Sequence, residues 1–234
     1  MNLRAPVILI LLVIPLLGHS QLLQAVAGTA VSKTTGTYGY ETISGNMLAG
    51  YKIGLTADLP LQRGSSCGLR TGLFLDRWGS RFVQGTTGRA GAIRSLGFSY
   101  LQSPLLFIKR WGLSLPTGLL VGAGGYAAWR INEPSQIFKV NRAGNHVYGA
   151  LYPDDGSGRG FYRRMDYGLS FHCSVEMHNR LNICLQYDHG LQNILRQSNG
   201  TALRNRALTL SLGYYLNQGR FLYRQFPLSR SIAK

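Results

Sequence analysis

The chain has 234 residues, with 25 Lys and Arg against 9 Asp and Glu for a net charge of +16. Its three cysteines (Cys67, Cys173, Cys184) are irregularly spaced, which argues against a disulfide framework, and no Cys/His spacing resembles a zinc site; no metal or other cofactor is expected. The basic residues are mostly arginine, scattered, with no run longer than Arg163-Arg164. This argues against a nucleic-acid partner and for anionic lipid headgroups or lipopolysaccharide phosphates, which arginine can grip bidentately.

Met1-Asn2-Leu3-Arg4, an apolar run over residues 5–18 and then small residues follow the order of a secretory signal peptide. Cleavage is expected after residue 20, with an alternative end at 27. The apolar run is short for a membrane span of ~20 residues, and no cysteine follows it to mark a lipoprotein. Residues 21–45 form an N-terminal segment with alternating positions in 22–32 and 38–43, either of which could supply a first strand.

From Asn46 the pattern sharpens. Tyr51, Ile53, Leu55 and Ala57 interleave with Lys52, Gly54, Thr56 and Asp58; Cys67, Leu69, Thr71, Leu73 and Leu75 interleave with Arg70, Phe74 and Asp76. Side chains of a strand alternate between faces, so each segment carries one apolar and one polar row. Residues 77–91, rich in Gly, Thr and Arg, read as a long connection. The next strand, residues 95–109, holds Leu96, Phe98, Tyr100, Pro104, Leu106 and Ile108 in one phase, and Pro104, which lacks a donor, predicts a bulge or break. Residues 118–129 return with Leu119, Val121, Ala123 and Trp129 opposite Gly118, Gly122, Gly124 and Tyr126. Residues 130–164 form the longest connection.

The clearest stretch is 166–194. Tyr167, Leu169, Phe171, Cys173 and Val175 alternate with Asp166, Ser170, His172, Ser174 and Glu176; after a turn containing His178-Asn179, Leu181, Ile183, Leu185 and Tyr187 alternate with Asn182, Cys184, Gln186 and Asp188. No three-and-four helical spacing is present. Residues 189–206 connect to a last strand with Leu208, Leu210, Leu212 and Tyr214 on one face, and residues 217–234 are a basic tail. The connections run short, long, short, long, as in outer-membrane barrels with short periplasmic turns and long external loops. Seven strands are visible and an even number is needed, so one more lies upstream of Asn46.

The fold class expected is therefore all-β: an eight-stranded antiparallel up-and-down transmembrane β-barrel with short periplasmic turns and long extracellular loops, occupying residues 46–216 plus the upstream strand. Its apolar rows from Tyr51 through Leu216 would touch acyl chains, with Trp78, Tyr100, Trp111, Trp129, Tyr187 and Tyr214 as interfacial aromatics. A single spanning helix over residues 111–129 is the competing membrane reading, countered by its glycines and Pro116; a soluble β-sandwich would alternate too.

Five ordered segments carry a family likeness: Tyr100-Leu-Gln-Ser-Pro-Leu-Leu-Phe-Ile-Lys109, Gly118-Leu-Leu-Val-Gly-Ala-Gly-Gly-Tyr126, Asp166-Tyr-Gly168, Tyr187-Asp-His-Gly-Leu-Gln-Asn-Ile194 and Leu208-Thr-Leu-Ser-Leu-Gly-Tyr214. Over residues 95–216 the chain resembles the PorT-like outer-membrane β-barrel family common in Bacteroidetes. The resemblance implies an eight-stranded barrel in the bacterial outer membrane with no known catalytic residues. Some members serve in type IX protein secretion, so a structural or accessory role beside secretion-system subunits is the function it implies.

Three sets of residues could carry function. Lys52, Asp58, Arg70, Asp76, Asp166, His172 and Glu176 fall on inward rows, where buried charges must pair; Lys52 or Arg70 is expected to pair with Asp58, Asp76, Asp166 or Glu176, making the lumen a plug. Arg77, Arg81, Arg89, Arg94, Arg130, Arg159, Arg163, Arg164, Arg196, Arg204 and Arg206 fall in the long connections and are expected to bind anions of lipopolysaccharide or an acidic partner. This supports a second reading, a lipid- or ligand-binding barrel. Ser170, His172 and Ser174 supply a third, a lipid-modifying hydrolase, although residues two apart lie roughly 7 Å apart along a strand and a base must reach its nucleophile within ~3 Å.

Overall fold

The computed structural model describes residues 22–38, 41–61, 65–86, 89–112, 117–132, 135–139, 146–147, 162–177, 180–195 and 201–217. Among the described residues, eleven strands form one antiparallel sheet. They are β1 (Leu22–Tyr38), β2 (Glu41–Ser44), β3 (Asn46–Pro60), β4 (Cys67–Thr86), β5 (Arg89–Gly112), β6 (Thr117–Arg130), β7 (Ser135–Lys139), β8 (His146–Val147), β9 (Met165–Met177), β10 (Leu181–Gly190) and β11 (Thr201–Tyr215). Eight of them close a ring in the order β4, β3, β1, β11, β10, β9, β6, β5, with β5 pairing back onto β4. Every ring strand pairs with its neighbour in chain order, and β1 meets β11 over residues 24–38 and 201–215. The sheet is an up-and-down barrel without a free edge in the ring, as a sheet in hydrocarbon must be. The three remaining strands extend it: β2 prolongs the hairpin beyond Gly45, while β7 adds to β5 and β8 to β7.

The strand required upstream of Asn46 is β1, which buries Leu22, Gln24, Val26, Ala30, Ser32 and Thr34 inward. Burial alternates residue by residue along β9 and β10, so Cys173 faces out and Cys184 is buried inside, each a free thiol. The expectations for the signal peptide and for the basic tail beyond Asn217 fall outside the described residues.

Three expectations need correction. Residues 77–91 are not a long connection: β4 runs to Thr86 and β5 starts at Arg89, extending the barrel wall. On β5 the row of Phe98, Tyr100, Leu106 and Ile108 faces inward and is almost fully buried, whereas Leu105 and Phe107 face out; both rows are apolar, so alternation alone does not orient this strand. Trp78 and Tyr100 consequently sit inside the barrel at 1% exposure and not in an interfacial girdle, while Trp111 and Tyr214 are 45% exposed. At Pro104 the β4–β5 pairing lapses between Thr71↔Leu105 and Phe74↔Gln102 and resumes in the same register, and the Thr71 hydroxyl donates to the Pro104 carbonyl at 2.9 Å.

The outer face is apolar. Ile53, Leu105, Phe107, Leu185, Leu210 and Leu212 are 54, 57, 51, 47, 57 and 60% exposed, far more contiguous apolar surface than water tolerates. Leu212 lies at the centre of the outward apolar row 208–216, between Ala27 on β1 and Ile183 on β10. Leu212→Arg should destabilise the bilayer-folded barrel by about 2–4 kcal/mol, the cost of a cation at the midplane, measured by reversible denaturant unfolding in lipid vesicles.

Candidate functional site

Strand register assembles the lumen charges. Asp58 stands opposite Arg70 across β3 and β4, and Lys52 opposite Asp76, so both pairs are cross-strand neighbours on the inner face. Arg70 donates from Nε and Nη2 to the two Asp58 oxygens at 2.7 and 2.8 Å, a bidentate fork. Arg110 of β5 donates to the same Asp58 carboxylate and, from Nε, to both oxygens of Glu176 at 3.2 Å. Tyr215 closes this end by donating its hydroxyl proton to Glu176. The remaining Arg70 nitrogen, Nη1, lies 2.7 Å from His172 Nε2. Because guanidinium has no acceptor, His172 Nε2 accepts and the ring proton sits on Nδ1.

Midway along the barrel, Lys52 Nζ donates to Gln102 at 2.6 Å and lies 3.4 Å from Asp76 and 3.8 Å from Asp188. Asp188 also accepts from Ser170 Oγ at 2.6 Å and Gln186 Nε2 at 2.9 Å. Towards the external end the lumen turns aromatic. Trp78 packs 5.1 Å from Tyr100 and 5.5 Å from Tyr126, and Phe98 packs 5.1 Å from Tyr162. Ile194 and Leu195 complete this cluster, and the Tyr162↔Leu195 bridge ties together the segments that lead into β9 and out of β10. Asn205 donates to Asp166 at 2.9 Å and to the Tyr100 hydroxyl at 3.2 Å.

Small inward residues make room for this filling: a Cβ on Gly122 would lie 2.9 Å from an Ile108 methyl and 3.7 Å from His172 Cβ. A gap of about 10 Å³ remains beside Gln24, Arg70, His172 and Cys184, room for a single water at most. Among the described residues the lumen is packed with side chains and shows no channel.

All seven inward residues singled out in the sequence are buried in the lumen. Both cations pair with acids from the anticipated set, Arg70 with Asp58 and Lys52 with Asp76. The structure adds Arg110, Asp188, Gln102, Asn205 and Tyr215 as partners. Asp188 continues the polar row of β10, a signal that was present; Arg110 shares its phase with Ile108, an apolar neighbour that hides it. Among the described lumen side chains, Lys52, Arg70, Arg110 and Arg130 face Asp58, Asp76, Asp166, Asp188 and Glu176. These described lumen charges nearly cancel, so the +16 charge of the chain comes from the other residues.

The arginines of the long connections do not form one group. Arg130 is a correction: it ends β6, points inward at 4% exposure and donates to the Tyr162 carbonyl at 3.2 Å. Arg77 and Arg81 lie exposed on the wall of β4, and Arg163 and Arg164 are exposed before β9; Arg163 also donates to the Leu195 carbonyl at 3.2 Å. Arg89 and Arg94 lie in β5, and Arg204 and Arg206 in β11. Arg159 and Arg196 fall outside the described residues. The serine–histidine trio is not assembled: Ser170 donates to Asp188, and His172 Nε2 is occupied by Arg70. Among the described residues no group of His, Cys, Asp and Glu could hold a metal.

A family model described as an outer membrane protein beta-barrel domain matches residues 20–196. The chain belongs to this family. It is an outer-membrane β-barrel protein, located in the bacterial outer membrane. No curated protein matches it. Solved structures similar to this outer-membrane barrel include Ail of Yersinia pestis, at 12% identity and TM-score 0.38 over 83% of this chain and 98% of that one. OprG of Pseudomonas aeruginosa is 8% identical with TM-score 0.45, covering 84% and 95%. The outer membrane enzyme PagL is 14% identical with TM-score 0.42, covering 79% and 98%.

Asp58 is the carboxylate shared by two buried guanidinium groups. Asp58→Asn leaves Arg70 and Arg110 facing each other without it, and breaking such a buried pair costs about 3–5 kcal/mol. Denaturant unfolding in vesicles should show a loss of this size, and the loss should shrink when Arg70→Met accompanies Asp58→Asn.

Proposed function

We propose that this outer-membrane barrel is a sealed, non-enzymatic structural or accessory component of a protein-secretion assembly. The observation that carries the sealed and non-enzymatic part is the filled lumen. Ion pairs occupy one end, the Lys52–Asp188 network the middle and the aromatic cluster the other end, so the described lumen residues leave neither a solute path nor a reachable nucleophile among them. A hydrolase reading is disfavoured by the same geometry, since a base whose lone pair is held by Arg70 cannot take a proton from Ser170 or Ser174.

The secretion part is supported by the ordered segments shared with PorT-like barrels, from Tyr100 to Tyr214. A barrel that transports and hydrolyses nothing is left with its outer wall and its external extensions as working surfaces, which suits a subunit that docks others.

Two measurements test the two parts separately. In planar bilayers the protein should give no discrete conductance steps; steps at physiological salt would contradict the sealed lumen. Mild-detergent extraction from native membranes should bring down stoichiometric partner subunits, and deletion of the gene should change the secreted protein profile. A barrel that purifies alone, with an unchanged secreted profile, would remove the secretion role.

A further inference from the structure

The outer wall of β10, β11 and β1 carries a row of basic side chains at a defined height. Leu208, Leu210, Leu212, Tyr214 and Leu216 are the outward, exposed residues of β11 and its end. They span the nine-residue stretch 208–216, close to the roughly 9–11 residues that a tilted strand needs to cross the hydrocarbon. The next outward residue is Arg206, at the external edge of that band. Its register partners are Lys33 on β1 and His189 on β10. Neighbouring strands are about 4.8 Å apart, so the three side chains share one short row on the outside of the barrel. Directly beneath them lies the apolar row Val31, Leu208 and Tyr187. Arg204, exposed, stands two residues further out on the same face.

Among the described residues no acidic side chain compensates this row. Like charges directly opposite one another across a ladder are destabilising, and Lys33 faces Arg206. Every Asp or Glu whose side chain is described lies in the lumen, on the other side of the wall. Arg206 Nε is shielded from solvent and has no hydrogen-bond partner among the described residues. His189 is already oriented, its Nδ1 lying 3.2 Å from the Tyr187 hydroxyl, which leaves Nε2 available. A guanidinium, an ammonium and an imidazole arranged above an apolar band match an anion with several oxygens attached to an acyl body.

We infer that Lys33, Arg206 and His189, with Arg204 above them, form a phosphate-binding site on the outer wall, which takes the phosphorylated headgroup of an outer-leaflet lipid while its acyl chains lie along Val31, Leu208 and Tyr187. The inference goes beyond the secretion reading and needs only the placement of the barrel in the outer membrane. Lys33 and His189 were not among the arginines of the sequence pattern; strand register alone brings them beside Arg206.

The test is native mass spectrometry and thermal unfolding of the full chain in zwitterionic detergent, with diphosphoryl lipid A, its dephosphorylated form and inorganic phosphate as probes. Lys33→Gln, Arg206→Gln and the double variant are compared with Arg180→Gln at the opposite end of the barrel. Diphosphoryl lipid A should remain bound to the wild type and to Arg180→Gln, and each single variant should weaken it roughly ten-fold, the value of one charge-assisted bond. Without lipid, Arg206→Gln should melt higher than the wild type, because Lys33 loses its like-charged neighbour; with lipid A it should melt lower. Three results would overturn the inference: equal stabilisation of all variants by lipid A, equal binding of the dephosphorylated lipid, or the same thermal shift from inorganic phosphate at the same concentration. None of the variants bears on conductance or on partner recovery, so the two proposals fail independently.

Discussion

Hydrocarbon offers no hydrogen-bond partner to a peptide group, and that constraint organises the whole molecule. A strand can cross lipid only if both of its edges are paired, so the sheet has to close, and here it closes through β1 on β11 and β5 on β4. Closure with eight strands fixes the diameter, which is just wide enough for side chains to fill. The period of two then sends one row of every strand to lipid and the other into a narrow, dry interior.

The interior therefore inherits whatever the sequence places on the inward row, and this sequence places charges there. Desolvated charges are tolerable only when paired and hydrogen-bonded. Asp58 meets this requirement for Arg70 and Arg110, and Asp188 collects donors from Ser170, Gln186 and Gln102. The near balance of lumen charge has a consequence outside. Five of the 9 acids lie in the lumen, whereas the described outer wall carries Lys33, Arg77, Arg81, Arg204 and Arg206 and no described acid. The same alternation that pairs charges inside thus leaves cations unpaired on that wall, and such a wall at the lipid edge calls for anions.

Much of this was legible in the residues. The β9–β10 hairpin shows strict alternation, so its faces, the opposite placement of Cys173 and Cys184, and the inward position of Asp166, His172 and Glu176 follow from periodicity alone. The upstream strand followed from parity, with its bounds left open because Gly28, Gly36 and the threonines of β1 blur the pattern. The orientation of β5 was not legible, since Phe98, Tyr100, Leu106 and Ile108 are as apolar as Leu101, Leu105 and Phe107. That ambiguity concealed the aromatic cluster and Arg110 together. The extensions of β4 and β5 were hidden for another reason: where both faces of a wall leave the membrane, nothing enforces alternation, and Gly, Thr and Arg read as loop. Register between distant strands, which sets Lys33 beside Arg206, is a three-dimensional fact that no local pattern encodes.

Alternation that sorts side chains between lipid and a sealed interior can be read out residue by residue with lipid-edited and water-edited solid-state NMR of the protein in bilayers. Magnetisation from acyl-chain methylenes should reach Cys173, Leu185 and Leu210 promptly, while Ser174, Gln186 and Thr209, one residue along the same strands, receive little from lipid and only slow transfer from bulk water. Fast water transfer to the inward set, or water in place of lipid at the outward set, would contradict it.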